Sequence, residues 1–113
     1  MKKIVLLSVF FVFFILSASA YAHPPADIKI TFDPETKMLN AVIFHQVSNS
    51  RTHYIKKVDV YLNDKEVIQQ DFSAQDNINN QTVNFYIPDA KPGDVLYVEA
   101  YCSISGKLKK ELK

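Results

Sequence analysis

Three histidines and one cysteine are the side chains of this chain best suited to bind a transition metal. They are His23, His45, His53 and Cys102, and the sequence contains no other histidine or cysteine. Imidazole nitrogen and thiolate sulfur are the protein ligands that iron, copper and zinc prefer. His45 ends one strand-like segment and His53 begins the next, with loop 46–52 between them. Two histidines at strand ends joined by one loop can converge on a single ion.

The same four residues also have plain structural explanations. Cys102 lies in the apolar phase of a strand-like segment, so it can face the core as a simple buried thiol, the most common state of an unpaired cysteine. A single histidine at a strand end is most often a surface or turn residue. Spacing alone therefore leaves a metal site and ordinary packing both open. The other members of that phase are Leu96, Val98, Ala100 and Ile104.

The N-terminal residues predict a cleavable secretory signal at residues 1–22. Met1-Lys2-Lys3 supplies a positive start, residues 4–16 are almost entirely apolar, and Ala20-Tyr21-Ala22 has the small residues that signal peptidase needs. The apolar run is short for a membrane span, which needs roughly 20 residues. We therefore expect a periplasmic or secreted mature protein, residues 23–113, with one domain and no membrane segment.

Cleavage after Ala22 would give His23 a second metal-binding group. The free α-amine and the imidazole would then belong to one residue and could chelate one ion together. An α-amine titrates near pH ~8, so a metal can displace its proton at physiological pH. Alternatively, this segment is a frayed end that is held only by Pro24 and Pro25.

Composition argues against several other functions. The chain has two glycines, too few for a glycine-rich phosphate loop, and no serine stands in a nucleophile elbow. Asp33, Asp64 and Asp94 occupy turn or strand-surface positions, where we expect solvated carboxylates. The 13 basic and 12 acidic side chains nearly balance, so no nucleic-acid partner is predicted.

Alternation of apolar and polar residues predicts an all-β protein. Ile28, Ile30 and Phe32 share one phase of the first segment, and similar alternation recurs along the chain, whereas no segment keeps a helical period. Turn residues separate about seven strands. The predicted strands are residues 27–32, 38–45, 54–62, 65–72, 82–87 and 95–104, with a short last strand after Gly106.

Seven short strands in a chain of this length fit an immunoglobulin-like antiparallel β-sandwich. The cysteine pair and the tryptophan of true immunoglobulin domains are missing, since the chain has one cysteine and no tryptophan. The predicted architecture is therefore immunoglobulin-like without the immunoglobulin disulfide.

The order of these residues resembles one known family. His45 is followed by Gln-Val-Ser-Asn-Ser-Arg-Thr and then by His53-Tyr54-Ile55 and an alternating strand, while Cys102-Ser103-Ile104-Ser105-Gly106 closes a late strand. This pattern extends roughly over residues 42–106, and loosely from His23. It is similar to the iron-binding domain of desulfoferrodoxin and neelaredoxin, the superoxide reductases.

The resemblance implies a seven-stranded immunoglobulin-like sandwich that holds a mononuclear, non-haem iron. In that family four equatorial histidines and an axial cysteine hold ferrous iron and leave one position open for superoxide. His45 and His53 then match two equatorial ligands, and Cys102 matches the axial thiolate. His23 matches the family's first histidine. The implied partners are the metal ion, superoxide and an unidentified electron donor.

Two departures from the family pattern are expected to weaken that activity. Ser105 stands where the family has its last histidine ligand, and a serine hydroxyl is a poor ligand for such an ion. Water or the α-amine of His23 would fill this position, or it stays empty. The family's lysine before its first histidine, which helps to attract superoxide, would fall at Tyr21-Ala22, inside the signal. We therefore expect an iron-binding protein without full superoxide reductase activity.

Two other functions stay open on sequence grounds. The first is an exported copper-binding protein in which the amine and imidazole of mature His23 chelate the metal. It would be similar to small periplasmic copper-resistance sandwiches that begin with histidine. The second is a metal-free interaction module, in which the histidines are incidental and Cys102 belongs to the core.

Overall fold

Seven strands in two antiparallel sheets form the fold in the computed structural model, which describes residues 23–113. The predicted signal, residues 1–22, lies outside the described residues. The all-β prediction is confirmed, and the predicted strand boundaries lie within two residues of those observed. The strands are β1 (Asp27–Asp33), β2 (Met38–Phe44), β3 (Ile55–Leu62), β4 (Lys65–Asp71), β5 (Asn80–Tyr86), β6 (Leu96–Cys102) and β7 (Lys107–Glu111).

The two sheets have the strand orders β1-β2-β5 and β4-β3-β6-β7. Side chains alternate across each strand, so each sheet has one apolar face, and these two faces form a common core as in a β-sandwich. Residues 23–113 contain no helix long and apolar enough to cross a bilayer. The residues with no exposed side-chain surface include Leu39, Ala41 and Ile43 of β2, Val58 and Val60 of β3, and Val98 and Ala100 of β6.

The two-residue period of a strand also determines whether the side chains at the strand ends face the core. His45 continues the inward phase of Ile43 and is 1% exposed, and Cys102 continues the inward phase of Ala100 and is 2% exposed. The prediction that Ile104 shares this phase was wrong, because β6 ends at Cys102 and Ile104 is 52% exposed in the following turn. The core therefore ends, on both sheets, in a side chain that can bind a metal.

Residues 23–26 are packed against the end of the sandwich. The amide of Ala26 donates to the carbonyl oxygen of Phe44 at 2.7 Å, and Pro25 is buried. Gly106, with φ +92°, lets the main chain come close, since a Cβ at this position would lie 2.9 Å from main-chain atoms of Pro24. The N-terminal segment and the turn between β6 and β7 therefore fix each other, and His23 is held beside them.

Replacing Gly106 with alanine tests this contact. Gly106→Ala is expected to lower the free energy of unfolding by about 2–4 kcal/mol, because its methyl group meets Pro24 and alanine is strained at this φ. Gly93→Ala is a matched control, because Gly93 has φ +91° but no atom within 4 Å of the added carbon. That variant should lose about 1 kcal/mol. Urea denaturation measures both losses, and equal losses would contradict a role for the Pro24 contact.

Candidate metal centre

Four separate parts of the chain meet at one end of the sandwich. His45 directly follows β2 in one sheet, and Cys102 is the last residue of β6 in the other. His53 lies just before β3, whose first residue, Ile55, pairs with Cys102. His23 belongs to the packed N-terminal segment. Strand pairing therefore brings together residues that are far apart in the sequence.

The three histidine rings form a compact group. Each pair of ring centroids is 4.9 Å apart, and one nitrogen of each ring lies within 4.8 Å of the others. The expected convergence of His45 and His53 is thus present, and His23 joins them. Two nitrogens bound on opposite sides of one ion are roughly 4.2 Å apart. The upper limit of 4.8 Å is close to this span, so the three nitrogens lie near enough to one another to bind one ion with small movements of the rings.

The thiol of Cys102 lies beside this group. Its Sγ is 3.1 Å from Nε2 of His53. Nitrogen and sulfur ligands at ~2.1 and ~2.3 Å from one ion, at a right angle, are roughly 3.1 Å apart. The described residues contain no second cysteine with which Cys102 could form a disulfide. This spacing suits two neighbouring ligands of one metal, and it gives Cys102 a polar contact that a plain core thiol lacks.

His45 has one nitrogen engaged and one without a partner. Its Nδ1 lies 2.9 Å from Oε1 of Gln75, whereas its Nε2 is buried and makes no hydrogen bond. A buried polar atom without a partner is costly, and in the described part of the chain only Oδ1 of Asp59 shares this condition among side-chain nitrogens and oxygens. A metal ion bound to Nε2 would remove that cost.

Sequence reasoning did not identify Gln75. It lies in the polar stretch between β4 and β5, which has the composition of a turn, yet its side chain is 5% exposed and lies against His45. A local pattern carries no sign of such a contact, because it depends on how the loop folds back over the end of the core.

One side of the histidine group faces solvent. An open cleft of about 550 Å³ is lined by His23, Gln46, Val47, Ser48 and His53. The lining residues other than the two histidines are uncharged. A small molecule can therefore reach the histidines, with little electrostatic attraction from the walls of the cleft.

Ser105 is exposed in the turn between β6 and β7, where it lines a surface depression together with Cys102 and Lys107. In the part of the chain that the structure describes, the group of candidate ligands is His23, His45 and His53, with Cys102 adjacent.

The environment of His53 favours its neutral form. Burial is the largest cause that lowers its pKa, and positive charge on His45 and then on His23 would lower this pKa further. A neutral imidazole has a free lone pair, which is the form that binds a metal. The burial of His53 and its two histidine neighbours thus favour the form of this ring that can bind a metal.

The lowered pKa of His53 predicts how acid affects the metal-free protein. The unfolded chain takes up the proton first as the pH falls below ~6.5, so stability is complete above this value and declines down to the lowered pKa of the folded state. His53→Gln should therefore lose less stability than the original protein between pH 7 and pH 5 in urea denaturation. His23→Gln should raise the pKa of His53, measured by NMR. If the original protein and His53→Gln lost the same stability between pH 7 and pH 5, this explanation would be contradicted.

Comparisons with known proteins identify one family for this chain. No curated protein and no solved structure matches the chain. The family model described as desulfoferrodoxin matches residues 35–111, a segment that contains His45, His53 and Cys102, while His23 precedes it. The match extends over more than half of the 113 residues. The chain therefore belongs to the desulfoferrodoxin family.

Proposed function

We propose that this protein is an exported mononuclear iron protein, similar to the superoxide reductases, in which His23, His45, His53 and Cys102 hold the iron. The observation that carries the proposal is the buried Nε2 of His45, which has no hydrogen-bond partner. Because Nδ1 is occupied by Gln75, Nε2 is the nitrogen left for the histidine group. Family membership points to iron as the ion.

The donor set suits this ion and leaves room for a substrate. Three imidazoles and one thiolate are ligands for a borderline or soft transition metal. An ion that accepts six ligands would keep two positions free, one of which could open on the cleft beside His53. Ser105 is exposed and its hydroxyl is a poor ligand for such an ion, which supports the interpretation that the family's last histidine has no replacement at this position.

Iron bound here would supply one electron to superoxide, which takes up two protons and becomes hydrogen peroxide. An unidentified donor protein or small reductant must return that electron. The chain's own residues hold the metal and shape the cleft, whose uncharged lining offers no cation to attract the superoxide anion. We therefore propose that the site binds iron but reduces superoxide slowly.

Copper is the second candidate for the bound ion. An amine-and-imidazole chelate on His23 would use Nδ1, the ring nitrogen nearer to the main chain. This atom lies 3.2 Å from the carbonyl oxygen of Pro24. The chelate would have to break that contact, so we place copper behind iron.

Metal titration of the purified protein under anaerobic conditions tests the proposal. We expect one ferrous ion per chain. His45→Ala should weaken iron binding by more than the roughly 10–100-fold that is typical of losing an outer-shell partner. Cys102→Ser should abolish the thiolate-to-iron absorption of the oxidised protein. Ser105→Ala is the control and should bind iron normally, because that side chain is exposed and its hydroxyl is a poor ligand for this ion.

The same titration separates the alternatives. Tight copper binding that requires a chain beginning at His23, and that is lost when Ala22 is retained, would favour the copper protein. Absence of iron, copper and zinc binding would favour the metal-free interaction module. A Cys102→Ser protein that loses modest stability and nothing else would agree with the latter.

We also propose that residues 1–22 are removed on export. N-terminal sequencing of the protein from the periplasmic fraction or the medium should begin His-Pro-Pro. Ala22→Asp should block cleavage and leave Met1 on the chain, because signal peptidase needs a small residue there. Tyr21→Phe is the control and should be processed normally. Recovery of the original protein with Met1 still attached would contradict cleavage.

A further inference from the structure

The side-chain amide of Gln75 is surrounded by hydrogen-bonding partners at the end of the core. Its Nε2 donates to the carbonyl oxygens of His45 and Asn77 at 2.8 and 2.9 Å. Its Oε1 accepts from the amide of Ile55 at 3.2 Å and lies 2.9 Å from Nδ1 of His45. The main-chain amide of Gln75 donates to the carbonyl oxygen of Ser50. Gln75 therefore connects the loop before β5 to the segments on both sides of loop 46–52.

These partners leave the amide of Gln75 only one orientation. Carbonyl oxygens can only accept, so the two that face Nε2 of Gln75 require a donor there. The main-chain N–H of Ile55 can only donate, so it requires Oε1. A flipped amide would place an oxygen against two oxygens and an N–H group against an N–H group. The oxygen of Gln75 therefore faces His45.

This orientation in turn decides which nitrogen of His45 carries the proton. Oε1 of Gln75 is an acceptor, so Nδ1 of His45 must be its donor. In a neutral ring the other nitrogen, Nε2, then has a free lone pair. That atom is the buried nitrogen without a partner. Gln75 thus contacts Nδ1 of His45, whereas a metal would bind the other ring nitrogen, Nε2.

We propose that Gln75 is a positioning residue for the metal centre: it selects the Nδ1–H form of His45 and holds the ring so that the Nε2 lone pair is presented to the ion. The inference rests on the proposed function. Beyond that function, we infer that the metal affinity and the reduction potential of the site depend on the side-chain amide of Gln75, although this amide does not contact the metal. Outer partners of this kind fix the tautomer and ring orientation of a ligand histidine and tune its basicity.

Two substitutions with one matched control test this role. Gln75→Leu removes the acceptor and should lower iron affinity about 10–100-fold. Gln81→Leu is the control: Gln81 is also a buried glutamine, 3% exposed, whose amide bonds to Asp76 and Thr82 instead of His45. It should bind iron as the original protein does. Gln75→Glu keeps an acceptor for Nδ1 of His45 but loses the donor to the two carbonyl oxygens, so it should bind iron more weakly than the original protein. The iron that it does bind should have a lower reduction potential, because a carboxylate acceptor makes the His45 ring a stronger electron donor.

A measurement without metal separates this inference from the proposed function. Nitrogen NMR of the metal-free protein should show a protonated Nδ1 and an unprotonated Nε2 in His45, and Gln75→Leu should abolish this preference. If the original protein shows this preference but binds no metal, the proposed function fails while the tautomer role stands. An unchanged tautomer in Gln75→Leu, or iron affinity and potential unchanged in both Gln75 variants, would overturn the positioning role.

Discussion

Three imidazole rings share one end of the protein core, where burial and repulsion between like charges oppose protonation of His53. Each ring lies 4.9 Å from the other two, and His45 is almost fully buried. Charges of one sign at this distance repel each other, and burial removes the water that would stabilise them. The lowered pKa of His53 has both causes. For His53, the neutral form that this packing favours is therefore also the form that can bind a metal.

The candidate ligands divide into a fixed pair and an adjustable pair. His45 and Cys102 are 1% and 2% exposed, and each ends the inward phase of a strand, one in each sheet. His23 and His53 are half-buried along the cleft, in segments without regular strand pairing. Well-packed strand ends move little, so the fixed pair would determine the position of a bound ion. The adjustable pair would then move to contact it.

Much of this arrangement could be predicted from the sequence, because it follows from a period of two. The same alternation that indicates the strands also predicts that Cys102 faces inward, and the single loop between His45 and His53 predicts that they meet. The error at Ile104 came from extending that period beyond the end of β6. Gln75 and the contact between Pro24 and Gly106 could not be predicted. They depend on loop conformation and close main-chain approach, and neither leaves a local pattern in the sequence.

The contact between Pro24 and Gly106 also has a consequence for the order of folding. It joins the first described residues to the turn before the last strand, so it forms only after nearly the whole chain is available. Contacts of such long sequence separation form late, because closing a long loop costs entropy before the contact repays it. His23 therefore takes its place among the other candidate ligands near the end of folding. A chain that has not completed its last hairpin would offer an ion an incomplete set of the candidate ligands, so any metal affinity that depends on His23 would require the complete fold.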